Sequence, residues 1–537
     1  MLRPLTAEES RWVSRTLKSM SLEESVGHLI CPEDQGYSPA KWARIMREVP
    51  LGSVFIGPAK LERQRACIEA IQRNARVPVL IASDLEHGAG CMIEGCVDFP
   101  WSMGLGAAND PALMRQMGWA TAREGRANGF HWTFSPVVDL NLNFQNPVTN
   151  VRSLGDEPAA VALLARAWIE GMQRDGLLAA TAKHFPGDGV DDRDQHLCTS
   201  VNSLTFDHWE RTYGRVWASV IDAGVMSVMV GHIAFPAYEG FAQTPSQALP
   251  ATLNPRLQID LLRRTLGFEG VIVSDAAPMI GITSRVKSAN EAVANILAGS
   301  DVFLFAHPTE DFQRLLRAVR RGLISRRRLT ESVRRVLEMK ARLGLHRDRS
   351  GPSLTAAERD SFDAAAAALA EKSITVLRND GRIPLKLKRG SKVLTVTIKN
   401  PEARGFLAPE LAAVDEELRR RGLKVKHLVN PGDDELVRNA ARSDHVFVNI
   451  LVTPHALIGT VRLVGKMVMP FWRAFWVDHP NVVFTSFGSP YHLYELPHLP
   501  NMVLAYGPSL CSQRAAVKVW LGEIEGRGKC PVKMPRF

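Results

Sequence analysis

The first two-thirds of the chain carry a rhythm that restricts the fold more than any other feature. Short β-branched runs alternate with longer segments whose apolar residues recur at helical spacing. The runs are GSVFIG (52–57), VPVLIASD (77–84), HWTFSPVVDLN (131–141), LLAATAKHF (177–185), VMSVMVGHI (225–233), GVIVSD (270–275) and DVFLFA (301–306). Between them lie patterns such as LERQRACIEAIQRNA (61–75) and DPALMRQMGWATAREGRANG (110–129). Strand then helix, repeated at this spacing, requires parallel strands joined by crossover helices. Seven such units over about 340 residues favour a closed (β/α)8 barrel of the TIM type over an open sheet.

In a barrel the C-terminal ends of all strands open onto one mouth. Asp84 with Glu86, Asp139, Lys183 with His184, His232, and Asp275 each stand at such an end. A single acid after a strand is commonly a helix cap; five strand ends in register make a candidate site. The densest segment is KHFPGDGVDDRDQH (183–196), with two histidines, four aspartates and the breakers Pro186, Gly187 and Gly189. It reads as a loop at a strand end, where a backbone freed from the sheet ladder can present reactive side chains.

A chain of 537 residues exceeds one ordinary core. After LTESVRRVLEMKARLGL (329–345) the pattern pauses at a polar stretch, HRDRSGPSLTAAERD, and then resumes with ITVLRND, SKVLTVTI, KVKHLV, DHVFVNIL, NVVFTSF and MVLAYG. We read a barrel domain over 1–345, a linker over 346–365 and a smaller α/β sandwich domain over 366–537. The last has no phosphate-binding glycine fingerprint and no catalytic constellation of its own.

The net charge of +10 raises the question of a polyanionic partner. The cations are spread along the chain beside acids, with no aromatic-interleaved motif, so no nucleic-acid partner is expected. The most basic region, 314–349, has apolar residues at helical spacing and reads as two helices with solvated arginine faces. ALIGTVRLVGKMVMPFWRAFWV (456–477) is the most apolar long run, interrupted by Arg462, Lys466, Pro470 and Arg473. Spanning a bilayer would cost about 2.5–3.5 kcal/mol for each central cation, so a buried or partner-facing helix is expected and no membrane span. The first twenty residues hold no continuous apolar stretch, which points to the cytoplasm. Seven cysteines form no CxxC pair and read as reduced thiols, Cys91 and Cys96 bridging only under oxidation. No metal and no cofactor are called for, and the oligomeric state is left open.

In order along the chain, MSLEESVGHL, IASDLEHGAG, NPVTNVRSLGDEP, GFEGVIVSDAAPM, SVRRVLEMKARLGL, AEKSITVLRNDGRIPL, FGSPYHL and GEIEGRGKCPVKMP resemble segments of glycoside hydrolase family 3. The likeness is to its bacterial β-N-acetylglucosaminidase (β-hexosaminidase) branch in the two-domain form. The resemblance implies a retaining, exo-acting enzyme for an amino-sugar glycoside. Asp275 would be the nucleophile, His196 the general acid/base and Asp194 its orienting partner. Asp84, Arg152, Lys183 and His184 would bind the glycon, with His232 and Asp139 as further mouth candidates. A strand-end carboxylate can form a covalent glycosyl intermediate, and a carboxylate-paired imidazole can donate and later accept the proton.

Departures from the family pattern surround this set. Asp188 stands for a second histidine, Val190 and Asp191 for Asp-Thr, Gln195 for the serine of the dyad, and Ala276 for a common second acid. The alternatives are a β-N-acetylglucosaminide phosphorylase, a β-glucosidase or β-xylosidase of the same family, and a non-catalytic sugar-binding relative.

Overall fold

The computed structural model describes residues 1–400, 410–454 and 459–535. Its fold is α/β. The first unit is built on eight short strands, β1 (Ile30–Cys31), β2 (Ser53–Phe55), β3 (Leu80–Ser83), β4 (Trp132–Thr133), β5 (Thr181–Phe185), β6 (Ser227–Val230), β7 (Val271–Ser274) and β8 (Phe303–Leu304), with a further parallel pair, Ser200–Val201 and Ile233–Ala234, set apart from them. β2–β3–β4 and β5–β6–β7 pair side by side, and β1 pairs with β8, always in parallel. Parallel bridges from Glu33 to Phe55, Trp132 to Ala179 and Val273 to Val302 join these groups. The pairings therefore return from the eighth strand to the first. β1 is absent from the runs read in the sequence, because two residues ended by Pro32 carry no periodicity.

Strand alternation sorts side chains between two apolar clusters. Leu80, Ala82, Val271 and Val273 enter a small cluster shared by the strands. Ile81 and Ile272 enter the large cluster beneath the helices. The helices Pro111–Ala127 and Pro158–Met172 approach closely through glycine: a Cβ on Gly118 would sit 2.4 Å from the Trp168 carbonyl oxygen.

The basic region forms two helices, Glu310–Arg320 and Arg326–Arg342. Its arginines are not all solvated, however. Arg328 and Arg335 turn inward and, with Arg263, surround the fully buried Asp301 at 3.5, 3.0 and 2.6 Å. The segment read as a linker is also more ordered than its composition suggests. It becomes helical at Ala356, where Thr355 and Glu358 cap each other's backbone N–H groups, and Arg123 and Arg126 donate to the carbonyls of residues 348–353.

The second sheet contains β9 (Thr375–Arg378), β10 (Lys392–Lys399), β11 (Lys424–Val429), β12 (His445–Leu451), β13 (Val482–Ser486) and β14 (Met502–Leu504), ordered β9–β14–β13–β12–β10–β11. All pairs are parallel except β9 with β14. One face packs on the helices Ala356–Ser373, Ala412–Arg420 and Leu510–Trp520. The other face joins Leu394, Val396 and Ile398 to Met103, Ala107 and Val151 of the first unit. The sheet is thus docked on the first unit through a shared apolar core.

Residues 456–458 of the expected 456–477 helix lie outside the described residues. The remainder forms three short 3-10 turns, since Gly465 and Pro470 interrupt any longer helix; Met467, Phe471 and Trp476 point inward while Trp472 is 72% exposed. Among the described residues no helix is long and apolar enough to cross a membrane, and all seven cysteines are free.

Candidate active site

Asp84 directly follows β3, and the turn after it presents Glu86. Glu86 accepts from Arg152 Nη2 at 2.7 Å and Nε at 3.0 Å, and its Oε1 lies 2.7 Å from Lys183 Nζ. Lys183 also donates to Asp84 at 2.9 Å. Burial opposes each charge here, and pairing wins: Arg152 and Lys183 hold the Glu86 carboxyl well below its ordinary range, while Asp84 and Glu86 raise Lys183. Carboxylates and cations thus alternate in a partly buried cluster that can both accept from and donate to a polyol.

His184 follows Lys183 on β5. Its Nδ1 lies 2.7 Å from Asp139 Oδ2, and Asp139 Oδ1 accepts from the backbone N–H groups of His184 and Asp188. The other ring nitrogen stands 4.0 Å from Asp275 Oδ2. Asp275 caps β7; its Oδ1 accepts from Ala276 N at 2.8 Å, and its Oδ2 is buried without a hydrogen-bond partner. Burial pushes this carboxyl up, yet His184, His232 and the Ala276 N–H outweigh it and hold it below its ordinary value. Oδ2 therefore keeps its lone pairs free of hydrogen-bond donors among the described residues.

The loop after β5 carries the dyad. Asp194 Oδ1 accepts from the His196 backbone at 2.8 Å and lies 2.6 Å from His196 Nδ1. That contact assigns the Nδ1 proton to the bond with Asp194 and leaves Nε2 for chemistry. Gly459, from the region of the second sheet, donates its backbone N–H to Asp194 as well. Ile280, just beyond Asp275, donates to the His196 carbonyl at 3.1 Å, so dyad loop and β7 loop are tied together.

Asp84, Glu86, Arg152 and His196 line a cavity of about 570 Å³. Its opposite wall comes from the region of the second sheet: Glu410, Thr453, Pro454, Pro508, Leu510 and Gln513.

Residues 21–339 match the Glycosyl hydrolase family 3 N terminal domain. The chain belongs to glycosyl hydrolase family 3. It is 34% identical to the beta-N-acetylglucosaminidase/beta-glucosidase of Cellulomonas fimi over 539 aligned positions, covering 97% of this chain and 95% of that protein. Among solved structures, beta-glucoside phosphorylase BglX bound to 2FGlc superposes with a TM-score of 0.88 at 31% identity, covering 98% of this chain and 97% of that one. A glycoside hydrolase family 3 beta-N-acetylglucosaminidase from Paenibacillus sp. str. FPU-7 superposes with a TM-score of 0.85 at 27% identity, covering 96% of this chain and 99% of that one. This family 3 protein is a glycoside hydrolase.

The residues singled out in the sequence fall into three places in the family 3 enzyme. Asp84, Arg152 and His196 face the cavity; Lys183, His184 and Asp275 join them through the contacts above. Asp139 and His232 are inside the protein fabric instead. Asp139 is saturated by His184 and Asp188, and His232 spends one ring nitrogen on Thr252 Oγ1 at 2.9 Å and the other on the Ala276 carbonyl at 3.0 Å. Both are fully buried and serve as supports, which strand-end position alone does not reveal. Sequence reasoning missed the bridging role of Glu86, although its place two residues after Asp84 put it on the same turn. It also missed the second-sheet wall, for which no local signal exists.

Proposed function

We propose that the enzyme removes terminal β-linked N-acetylglucosamine, or a related hexosamine, by double displacement. Asp275 Oδ2 attacks the anomeric carbon as the glycosidic bond breaks, and the departing oxygen takes the proton of His196 Nε2. Water then gives a proton back to Nε2 and attacks the same carbon, releasing Asp275 with net retention. Asp194 fixes the tautomer and supports the imidazolium, while Asp84 accepts from ring hydroxyls and Arg152 and Lys183 donate to them. His184, oriented by Asp139, borders the nucleophile. The observation that carries this reading is the buried, unpartnered Asp275 Oδ2 in an ionised site beside an Asp–His dyad.

The site would sit at the mouth of a TIM-type (β/α)8 barrel over 1–345, with 346–365 connecting to an α/β sandwich domain over 366–537. Amino-sugar preference is supported by the names of the Cellulomonas fimi and Paenibacillus relatives, and the free thiols suit a cytoplasmic setting. Incubation with a slow 2-fluoro or 5-fluoro glycoside followed by peptide mass spectrometry tests the mechanism. An adduct on Asp275 is expected; an adduct elsewhere, or none with a substrate that turns over, overturns it.

A second reading is phosphorolysis. An imidazole does not repel an anionic acceptor as a carboxylate base would, and the beta-glucoside phosphorylase is similar over nearly the whole chain. Hydrolysis gives free sugar in phosphate and non-phosphate buffers alike. Formation of a sugar 1-phosphate in phosphate buffer would favour the second reading.

A further inference from the structure

Arg152 belongs to a loop of the first unit, yet residues on both sides of it are held from outside that unit. Val151 is fully buried in the apolar cluster of the second sheet. Asn150, at φ 36°, donates its backbone N–H to Asn141 Oδ1 at 3.0 Å, and Thr149 Oγ1 donates to the same oxygen at 2.6 Å. A carbonyl oxygen that accepts twice fixes the orientation of the Asn141 amide. Its Nδ2 then donates to Tyr491 Oη at 2.6 Å. Tyr491 follows β13, is 4% exposed, and packs edge-on against Phe144 of the same loop with ring centroids 5.8 Å apart. Further along, Asp156 N donates to the Pro531 carbonyl and Lys533 N to Asp156 Oδ2.

Asparagine adopts the left-handed region more readily than most side chains, but which turn it makes there is set by its partners. Here Asn141 is that partner, and Tyr491 fixes Asn141. The turn Asn150–Arg152 delivers the guanidinium to Glu86 in two-bond geometry, which depends on angle as well as distance. From these contacts we infer that Tyr491, acting through Asn141, is a positioning residue for Arg152, and that one function of the second sheet is to set the glycon-binding angle of that arginine. This rests on the proposed role of Arg152 in holding the glycon.

The test uses the full chain with an aryl β-N-acetylglucosaminide. Tyr491→Phe keeps the ring and its packing and removes the acceptor. Loss of one hydrogen bond to a buried amide predicts a KM about tenfold higher, with kcat on a dinitrophenyl glycoside changed less than about twofold. Arg152→Ala raises KM further. In the Arg152→Ala background, Tyr491→Phe has no additional effect on KM, because the group it positions is gone. A purely structural role would instead give equal losses in both backgrounds, or a lower thermal midpoint with unchanged KM, and either result overturns the inference. An unchanged KM for Arg152→Ala alone overturns the glycon-binding reading itself and the inference with it, and is read separately. Should Tyr491→Phe fail to fold, Val151→Ala loosens the same loop through a different contact and is judged by the same pair of backgrounds.

Discussion

Asp275→Ala removes a strand-end carboxylate oxygen that is buried and unpartnered. Its loss should lower turnover by about 10⁴-fold or more, as for other knocked-out nucleophiles, while circular dichroism and sugar binding stay close to the parent. Near-parental rates would eliminate the covalent route. His196→Ala probes the proton instead. Hydrolysis of poor leaving groups should fall by about 10²- to 10⁴-fold more than that of dinitrophenyl glycosides, which depart unprotonated. Equal losses on both substrates would make His196 a binding residue. The Asp188 carboxyl titrates in an unusual place: burial, and then the neighbouring Asp139, push it up to about 6, with His184, Asn146 and Gly189 pulling the other way. The sign follows from linkage. The folded chain holds this proton more tightly than a free aspartate of pKa about 3.9, so stability declines as pH rises from about 4 to about 6 and is level above. Asp188→Asn should cancel that slope relative to the parent and raise the midpoint at pH 7 by about 2–4 °C; an unchanged slope would mean that Asp188 is ionised throughout. At this scale the sequence was informative where chemistry and position coincide. Asp275, Lys183, His184 and His196 are reactive types at a strand end or on the loop that follows one. Asp139 and His232 satisfy the same criterion but are consumed by neighbours from other parts of the chain, and such consumption is a property of packing that no local pattern carries.

Among the elements, the alternation of runs and amphipathic segments was readable because each crossover helix buries a stripe and each strand buries both faces. β1 escaped because two residues cannot show a period, and the apolar run at 456–477 misled because hydrophobicity without uninterrupted backbone hydrogen bonding does not make a helix. The basic helices gave a different lesson. Two of their arginines, Arg328 and Arg335, converge with Arg263 on Asp301, which also accepts from Ser332 Oγ and from Ile272 N. That carboxylate fastens the helix Arg326–Arg342 and the segment Arg256–Thr265 to the start of β7. Asp301→Ala leaves three cations without a counter-charge, two of them more than four-fifths buried by their side chains. The expected cost is about 3–5 kcal/mol, measured as a shift in the urea midpoint of the first cooperative transition. A cost under about 1 kcal/mol would show that the arginines find solvent once released.

For the whole molecule, the second sheet completes the cavity lined by Asp84, Glu86, Arg152 and His196 and holds loops that the first unit presents. Its contribution was invisible in the sequence because every link is a long-range contact between residues that are unremarkable locally, such as Asn141 with Tyr491 or Val151 with the β10–β13 core. The C-terminal strap makes the same connection by backbone. Gly528 N donates to the Ile374 carbonyl, Lys529 N to the Ala107 carbonyl, and residues 531–533 clasp Asp156. Gly155 lies under this strap: a Cβ there would come within 2.6 Å of the Pro531 carbonyl oxygen. Deleting residues 528–537 therefore frees the far end of the loop that carries Arg152, while β9–β14, Asp275 and the Asp194–His196 pair remain. The truncated enzyme should show a KM raised by roughly tenfold, the scale of one or two lost hydrogen bonds of about 0.5–1.5 kcal/mol each. The loop 139–157 should also become sensitive to limited proteolysis, with protection restored by a saturating competitive inhibitor, because a ligand that engages Arg152 stabilises the bound loop by mass action. Parental KM and parental protease resistance together would mean that the apolar contact at Val151 and the Tyr491 bond hold the loop without the strap, and the clasp at Asp156 would then be a consequence of docking with no part in it.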